Sequence, residues 1–560
     1  MTPILECIPN FSEGRDLAII RQITDQIESV EGAKLLDVDP GASTNRTVVT
    51  FVGSPDAVIE AAFLAIKKAG ELIDMRKQKG AHPRMGATDV CPLVPISGIT
   101  AEEAVAYAHK LAKRVGEELD IPIYLYEEAA TSPQRQNLAV IRAGEYEGFA
   151  EKILQPEWKP DYGKAVYNAF SGQTVIGVRD FLVAYNVNLN TTSVRRANSV
   201  AFDIREKGRA KTEDGTPWGK KVLDENGEQV REAGMCKHVK AIGWYMDEYG
   251  IAQVSANLTN IKETPVHTVF EASRTSANNR GMRVTGSELV GLIPKAALLD
   301  AGYYYLEQQG VAQGMSEREV MKIAVKSLGL DELGEFDLDK KVVEYAMNAG
   351  EADGLVDLTV TGFVDMLASD APAPGGGSAS ALAGALAAGL GTMVANLSGN
   401  KRGWDARTPG FSEWGRKGQG LKERLLYLVD ADTAAFNAVL AAYRLPKGSD
   451  EEKASRKEAI EHANQGAAKT PYAIMETTLE LYDLLEAMAK DGLEASITDV
   501  GVGAHLAHTA VEGSALNVRI NLGSIRDEAF VEMLRTGTQR MLQESSARKE
   551  QVLREVEARM

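Results

Sequence analysis

Over roughly the first 330 residues, apolar positions follow two rhythms in turn: alternation at every second residue, and recurrence at every third and fourth. Ala33-Lys-Leu-Leu-Asp-Val-Asp39 and Asn45-Arg-Thr-Val-Val-Thr-Phe-Val52 carry the strand rhythm, the latter β-branched and bounded by turn residues. Ser54-Pro-Asp-Ala-Val-Ile pairs a serine cap with proline at the first helical position, and its helical period runs to about Met75. Thr100-Ala-Glu-Glu opens a second helix with a capping box, and the strand Ile121-Pro-Ile-Tyr-Leu-Tyr126 follows it. Strand-like pieces begin again near Thr174, then recur at Phe181 to Leu189, Ala241 to Met246 and Ala252 to Leu258. After about residue 335 the strand rhythm stops, and helical patterns run to the C-terminus. The expected fold is therefore an α/β (α+β) N-terminal half of two tandem sheet-and-helix subdomains, followed by an all-α helical bundle. The expected divisions are residues 1–180, 181–332, a linker over 333–360 with Glu351-Ala-Asp-Gly354 in the junction, and a helical domain over 361–560. Lys211 to Cys236, polar and glycine-containing, is expected to be an exposed excursion.

Composition narrows the class. A length of 560 residues implies roughly two to four structural units rather than one core. The net charge of −17 argues against a general nucleic-acid binder, so an anionic ligand must be held by local basic groups. Cys7, Cys91 and Cys236 are scattered, with no disulfide framework or paired metal spacing, and a cytoplasmic location is expected. Ala371 to Asn400 has no charged residue, but its Ala, Gly and Ser content reads as a tightly packed core helix rather than a membrane span.

Candidate chemistry starts at Gly80-Ala-His-Pro-Arg-Met-Gly86. Proline stiffens this stretch into a loop that feeds the strand Thr88 to Pro95, and it holds His82, one of seven histidines. A rigidly held imidazole suits proton transfer near neutral pH. A structural loop histidine explains the residues slightly better, and both readings stay open. Asn10, Asp39 at a strand end, and Asn45-Arg46 are polar groups near turns. An aspartate there can orient an imidazole and an arginine can grip a carboxylate, although turn-rich loops use such residues anyway. In the last third, Leu421, Leu425, Leu428, Val429, Ala435, Phe436 and Val439 form one stripe, with Asp432 inside it and Asp430 on the polar side. A carboxyl on a core face is costly unless bonded or protonated, so Asp432 is either a proton donor or a structural partner, at even odds. Pro374-Gly-Gly-Gly-Ser378 could hold an anion at a helix start or simply allow close packing. His505, His508 and Glu512 share a face but lack a metal-site spacing; polar residues at an interface describe them better, and no metal is expected.

Several segments together resemble the formimidoyltransferase-cyclodeaminase family of folate enzymes in histidine breakdown. Glu6 to Gly14, Leu36 to Asp39, Ser43 to Val48, His82-Pro-Arg-Met-Gly-Ala87, Arg135 to Ala139, Ile141 to Glu147 and Gly243-Trp-Tyr245 match its transferase half. Pro374 to Ser378 and Leu428-Val-Asp-Ala-Asp432 match its cyclodeaminase half, so the likeness spans nearly the whole chain. The resemblance implies transfer of a formimino group from N-formimino-L-glutamate to N5 of tetrahydrofolate, releasing glutamate. The second half then closes the ring to 5,10-methenyltetrahydrofolate with loss of ammonia. His82 matches the catalytic histidine and Asp432 the active-site aspartate. Asp39 is expected to orient His82, with Arg46 and Arg84 in support. The segment Gly163, Lys164, Ala165, Val166, Tyr167, Asn168, Ala169, Phe170, Ser171, Gly172 lies where the family places its folate-binding loop. Polyglutamylated tetrahydrofolate is the implied co-substrate, held by local lysines and arginines and passed from one site to the other. A homo-oligomer is implied, an octameric ring among its forms, with no nucleic-acid or membrane partner. Two alternatives remain: a second half that acts as a methenyltetrahydrofolate cyclohydrolase, and a folate-binding scaffold without turnover.

Overall fold

The computed structural model describes residues 3–80, 82–216, 219–348 and 354–560. They form two compact units: Met1–Ala301 with Ala324–Ala349, and Gly302–Ile323 with Gly350–Met560.

The first unit contains two sheets. One has seven strands, in the order Ile4–Cys7, Arg46–Gly53, Asn10–Phe11, Thr88–Ser97, Thr174–Val178, Ile123–Glu127, with Ala33–Gly41 paired to Arg46–Gly53. Pairing is antiparallel except among Thr88–Ser97, Thr174–Val178 and Ile123–Glu127, which run parallel. Helices Leu17–Glu28, Pro55–Leu72 and Ala101–Glu118 pack on one face over Leu5, Cys7, Val49 and Phe51. The capping box of Thr100 and Glu103 is formed as its sequence implies. Strand alternation sends the intervening residues to the other face, where Glu6 lies fully buried with both carboxyl oxygens unpartnered. Burial pushes Glu6 up to about 8, with Arg179 opposing the rise.

The second sheet is antiparallel, in the order Val239–Met246, Ile251–Leu258, Val183–Leu189, Val284–Val290. Helix Val194–Ile204 packs on its strands. Buried amides cross-link these strands: Gln253 Nε2 donates to Asn188 Oδ1 at 2.8 Å and to Glu288 at 3.0 Å. The excursion after residue 210 is a small β-structure, with Arg209–Ala210 paired to Arg231–Glu232. Part of the stretch expected to link the halves is folded instead. Leu338–Lys341 and Val343–Asn348 are helices, held where Ile293 donates to Lys341 O at 2.9 Å and accepts from Val343 N at 3.1 Å. Residues 351–353 of the expected junction lie outside the described residues.

The second unit is built from the long helices Gly376–Gly399, Thr408–Arg444, Asp450–Asp491, Ile497–Leu522 and Glu528–Arg559. Its core gathers Leu425, Tyr482, Leu484, Met488 and Val511. Gly376–Gly399 is long and apolar enough to cross a membrane, and so is the stretch Asp405–Arg444; most of the first is buried within this unit. Small residues let it pack closely. A Cβ added at Gly391 would lie 2.9 Å from Leu484 Cδ2, and one at Gly384 3.1 Å from Leu425 Cδ2.

Candidate functional site

Strand register assembles the first candidate site. Asn10 pairs with Val48 on one side and with Val90 on the other, which brings Arg46 and the strand after the His82 loop to the same place. Arg46 donates to Asn10 Oδ1 through Nε at 2.9 Å and through Nη2 at 2.5 Å. Its Nη1 lies 3.3 Å from Asp89 Oδ2 and 2.5 and 2.9 Å from the two ring nitrogens of the half-buried His82. His82 Nδ1 is 2.7 Å from Pro83 O; taken as a donated bond, that contact puts the proton on Nδ1 and makes Nε2 the acceptor that faces Arg46 Nη1. Burial, then the positive charges of Arg46 and Arg142, push the imidazole down to about 3. It is held in its neutral form.

Asp89 anchors the group. Its side chain is fully buried, accepts from Met85 N at 3.0 Å, and is paired with Arg142 Nη2 at 2.6 Å as well as with Arg46. Arg142 follows the short helix Leu138–Ile141, and Lys152 pins that turn by donating to Val140, Ile141 and Ala143 carbonyls at 3.1, 2.7 and 2.9 Å. Asp89 and Arg142 were not singled out from the sequence. A carboxylate directly before the apolar run Val90 to Leu93, inside the expected strand, was the available signal for Asp89, since a buried charge demands a partner. Arg142 lies in the segment Ile141 to Glu147 that matches the transferase half, but nothing in its spacing singled it out.

The other expected residues divide. Asp39 does not bond His82. It sits on the strand outside Arg46–Gly53, accepts a backbone bond from Gly291, and lies among Asp37, Glu288 and Lys341. Burial, then Asp37, raises it. Arg46, expected to grip a carboxylate, has all three guanidinium nitrogens committed to Asn10, Asp89 and His82. Arg84 is likewise filled: it donates to Gln78 at 2.8 Å, Glu145 at 3.2 Å and Glu147 at 2.6 Å. It ties the His82 loop to residues 145–147, beside an open cleft of about 540 Å³ lined also by Lys79, Gly80 and Gly144.

Gly163 to Gly172 is an irregular segment that abuts the His82 loop. Ala87 N donates to Ser171 O at 2.7 Å, and Gly86 bridges Gly172. Gly172 has φ +70°, and a Cβ there would meet Met85 O at 2.4 Å, so both conformation and space call for glycine. Asn168 Oδ1 accepts from Phe170 N and Ser171 N, Tyr146 donates to Ala169 O at 2.6 Å, and Tyr167 packs on Tyr146. Lys164 pairs with Asp120 at 2.7 Å, while Ala165, Val166 and Phe170 are exposed.

The second candidate site lies in the helical unit. Helix Thr408–Arg444 carries Asp432 to the start of helix Gly376–Gly399, where its carboxylate accepts the Ser378 backbone amide and faces Ser378 Oγ at 3.4 Å. Ser378 Oγ itself donates to Val429 O at 2.8 Å. The glycine-rich helix start thus holds an internal anion, as exposed N-terminal amides favour. Burial raises the Asp432 carboxyl while the Ser378 bonds oppose the rise. The apolar stripe is shorter than its spacing implies. Leu421, Leu425, Leu428 and Val429 are buried, but Ala435 and Val439 are only half-buried and Phe436 is exposed. The partner helix begins beside Asp432, so later turns have nothing of it to pack on. Asp430 accepts from Leu355 N at 2.6 Å. His508 Nδ1 is 2.9 Å from the buried Ser545 Oγ and its Nε2 is 3.5 Å from Glu512, whereas His505 is exposed.

Comparison with known proteins adds an independent line. Residues 4–179 match the family model for the formiminotransferase domain, N-terminal subdomain; residues 184–348 match the formiminotransferase domain, and residues 359–540 match formiminotransferase-cyclodeaminase. The formimidoyltransferase-cyclodeaminase of Rattus norvegicus is 40% identical over 560 residues, covering 100% of both chains. The glutamate formimidoyltransferase of Streptococcus pyogenes is 43% identical over 307 residues, which cover 55% of this chain and 94% of that one. The methenyltetrahydrofolate cyclohydrolase of Methylorubrum extorquens is 36% identical over 202 residues, 36% of this chain and 97% of that one.

Proposed function

The chain belongs to the formimidoyltransferase-cyclodeaminase family, and from that premise we propose how its two sites divide the family's two activities. The first unit transfers the formimino group of N-formimino-L-glutamate to N5 of tetrahydrofolate. N5 attacks the formimino carbon, and His82 Nε2 takes the N5 proton as the bond forms. The tetrahedral adduct collapses when the imidazolium returns that proton to the glutamate nitrogen, which leaves as L-glutamate. Gly163 to Gly172, contiguous with the His82 loop, is assigned to the folate. The second unit closes the ring: N10 attacks the same carbon and ammonia departs. Ammonia leaves only if its nitrogen is protonated; Asp432 is the assigned donor, and the N10 proton released as the ring closes restores its carboxyl. The observation that carries this division is placement: a neutral imidazole beside Arg46 at the end of the folate-loop contact in one unit, and a part-buried carboxyl at a glycine-rich helix start in the other. Both proton inventories close on these side chains.

We place the reaction in histidine degradation, in the cytoplasm, with a polyglutamylated folate and a homo-oligomeric enzyme. Tetrahydrofolate and formiminoglutamate mixed with the purified full chain should yield glutamate, ammonia and the methenyl chromophore in equal amounts. Glutamate without ammonia would sink the cyclodeaminase half. The similarity to a methenyltetrahydrofolate cyclohydrolase favours one rival for that half, and the same assay separates them, because hydrolysis of methenyltetrahydrofolate consumes the chromophore and releases no ammonia.

Gly377→Ala tests the geometry of the second site. A Cβ there would fall 2.2 Å from Asp432 Oδ1 and 2.4 Å from Oδ2, so the carboxylate must move. Displacement of about 1 Å costs on the order of 100-fold in a positioned reaction. Ammonia release from supplied 5-formiminotetrahydrofolate should fall by roughly that factor while formimino transfer keeps its rate; equal loss of both would indicate general unfolding.

A further inference from the structure

Three arginines surround the His82 loop, and they differ in what they have left to give. Every nitrogen of Arg46 is spent on Asn10, Asp89 or His82, and every nitrogen of Arg84 on Gln78, Glu145 or Glu147. Among the described residues Arg142 is engaged only through Nη2, at 2.6 Å from Asp89; its Nε is buried without a partner there, and its side chain keeps 15% of its surface open. Charge points the same way. Arg46 and Arg142 share one carboxylate, Asp89, beside a neutral ring, which leaves a surplus of one positive charge. In the neighbouring cleft, Lys79 and Arg84 are balanced by Glu145 and Glu147. In a chain of net charge −17, a guanidinium with surplus charge and an unpartnered buried donor suits an anionic ligand.

We propose that Arg142 binds a carboxylate of the formimino donor. This rests on the transferase reading above and names the residue that recognises its acidic substrate. A carboxylate oxygen that accepts from Nε satisfies the buried donor, and its charge neutralises the surplus. Asp89 then has a second task beyond pairing with Arg46: it fixes the Arg142 fork relative to the base. The bond order is simple. His82 is gripped by Arg46, Arg46 and Arg142 by Asp89, and the substrate by Arg142.

The test uses the full chain with Arg142→Gln and Arg142→Lys. Lysine keeps the charge that Asp89 requires but loses the planar fork, so it separates binding from structural support. Binding of glutarate, a dicarboxylate without the formimino nitrogen, is measured by calorimetry alongside KM for formiminoglutamate and for tetrahydrofolate. We expect KM for formiminoglutamate to rise about 30- to 100-fold in Arg142→Gln and about 10-fold in Arg142→Lys, as loss of charge-assisted hydrogen bonds implies. KM for tetrahydrofolate should stay within about twofold, and glutarate binding should disappear from Arg142→Gln. Ammonia release from supplied 5-formiminotetrahydrofolate reports that the variants are folded. Unchanged glutarate binding, or a loss confined to kcat with a shifted pH profile, overturns the proposal, because Arg142 would then act only through Asp89. Failure of the unmodified chain to turn over formiminoglutamate sinks the transferase reading instead, and glutarate binding still decides the carboxylate site.

Discussion

His82→Ala will lower kcat/KM for formimino transfer by about a thousandfold, within the range that removal of a positioned general base commonly costs. Release of ammonia from supplied 5-formiminotetrahydrofolate will continue at its usual rate. The pH dependence is the sharper part of this expectation. The folded imidazole is pushed down to about 3, below its ordinary 6.5, so it stays unprotonated and able to accept a proton above that lowered value, though as a weaker base than a free imidazole. Transfer should therefore show no acid limb near pH 6.5, and activity tied to this ring should fall only well below it. Arg46→Gln removes the second cause of the shift, and the limb should move up toward 6.5. Stability follows the same sign: the contribution is complete above pH 6.5 and is lost as pH falls toward about 3, because the unfolded ring binds a proton that the folded ring refuses. A wild-type limb at 6.5, or more than a tenth of the activity left in His82→Ala, would place the base elsewhere.

The second large effect belongs to Asp432. Asp432→Asn should slow ring closure by about 100- to 10,000-fold while formimino transfer runs on. Glutamate will then appear without ammonia, and 5-formiminotetrahydrofolate will accumulate. Asparagine keeps the shape and an oxygen for the Ser378 amide, so loss of the proton is the main change. Burial raises the native carboxyl above its ordinary 3.8, and the donor form is depleted as pH rises through that raised value; ring closure should decline on this alkaline side. For a raised carboxyl, the contribution to folding is present below the unfolded value and lost as pH rises through the folded one. The ionised group is thus a burden near neutrality, and Asp432→Asn should melt at a higher temperature. An unchanged rate of ammonia release would remove Asp432 from the mechanism.

Much of the fold is legible in local rhythm, because strand alternation and capping residues act over short ranges. Thr100 with Glu103 forms its box, and the strand beginning at Thr88 lies where the proline-stiffened loop implies. The His82 site is less legible, because its members meet through sheet register rather than sequence spacing. Asn10, Arg46, Asp89 and Arg142 come from four separate segments. Asp39 misled for the same reason: a strand-end position beside the right motif does not tell which loop the side chain reaches, and Gly291 claims it. The stripe around Asp432 identifies its first half correctly. A period cannot report where the neighbouring helix ends, and Phe436 is exposed beyond that point.

The chain does not divide where its sequence changes character. Gly302–Ile323 belongs to the helical unit although it precedes Ala324–Ala349 of the first, so the backbone crosses from one body to the other three times. Gly314 O accepts from Asn396 Nδ2 at 2.6 Å and from Gln419 Nε2 at 2.9 Å, and Ala312 N donates to Asn400 Oδ1. A protease cut near residue 350 would leave these amides served by a segment on the wrong fragment, and each buried polar group stranded in this way costs about 1–3 kcal/mol. The helical unit is thus assembled from two separate stretches of chain, Gly302–Ile323 and Gly350–Met560. A helical module excised for engineering must therefore carry a borrowed stretch from upstream, or a designed patch in its place.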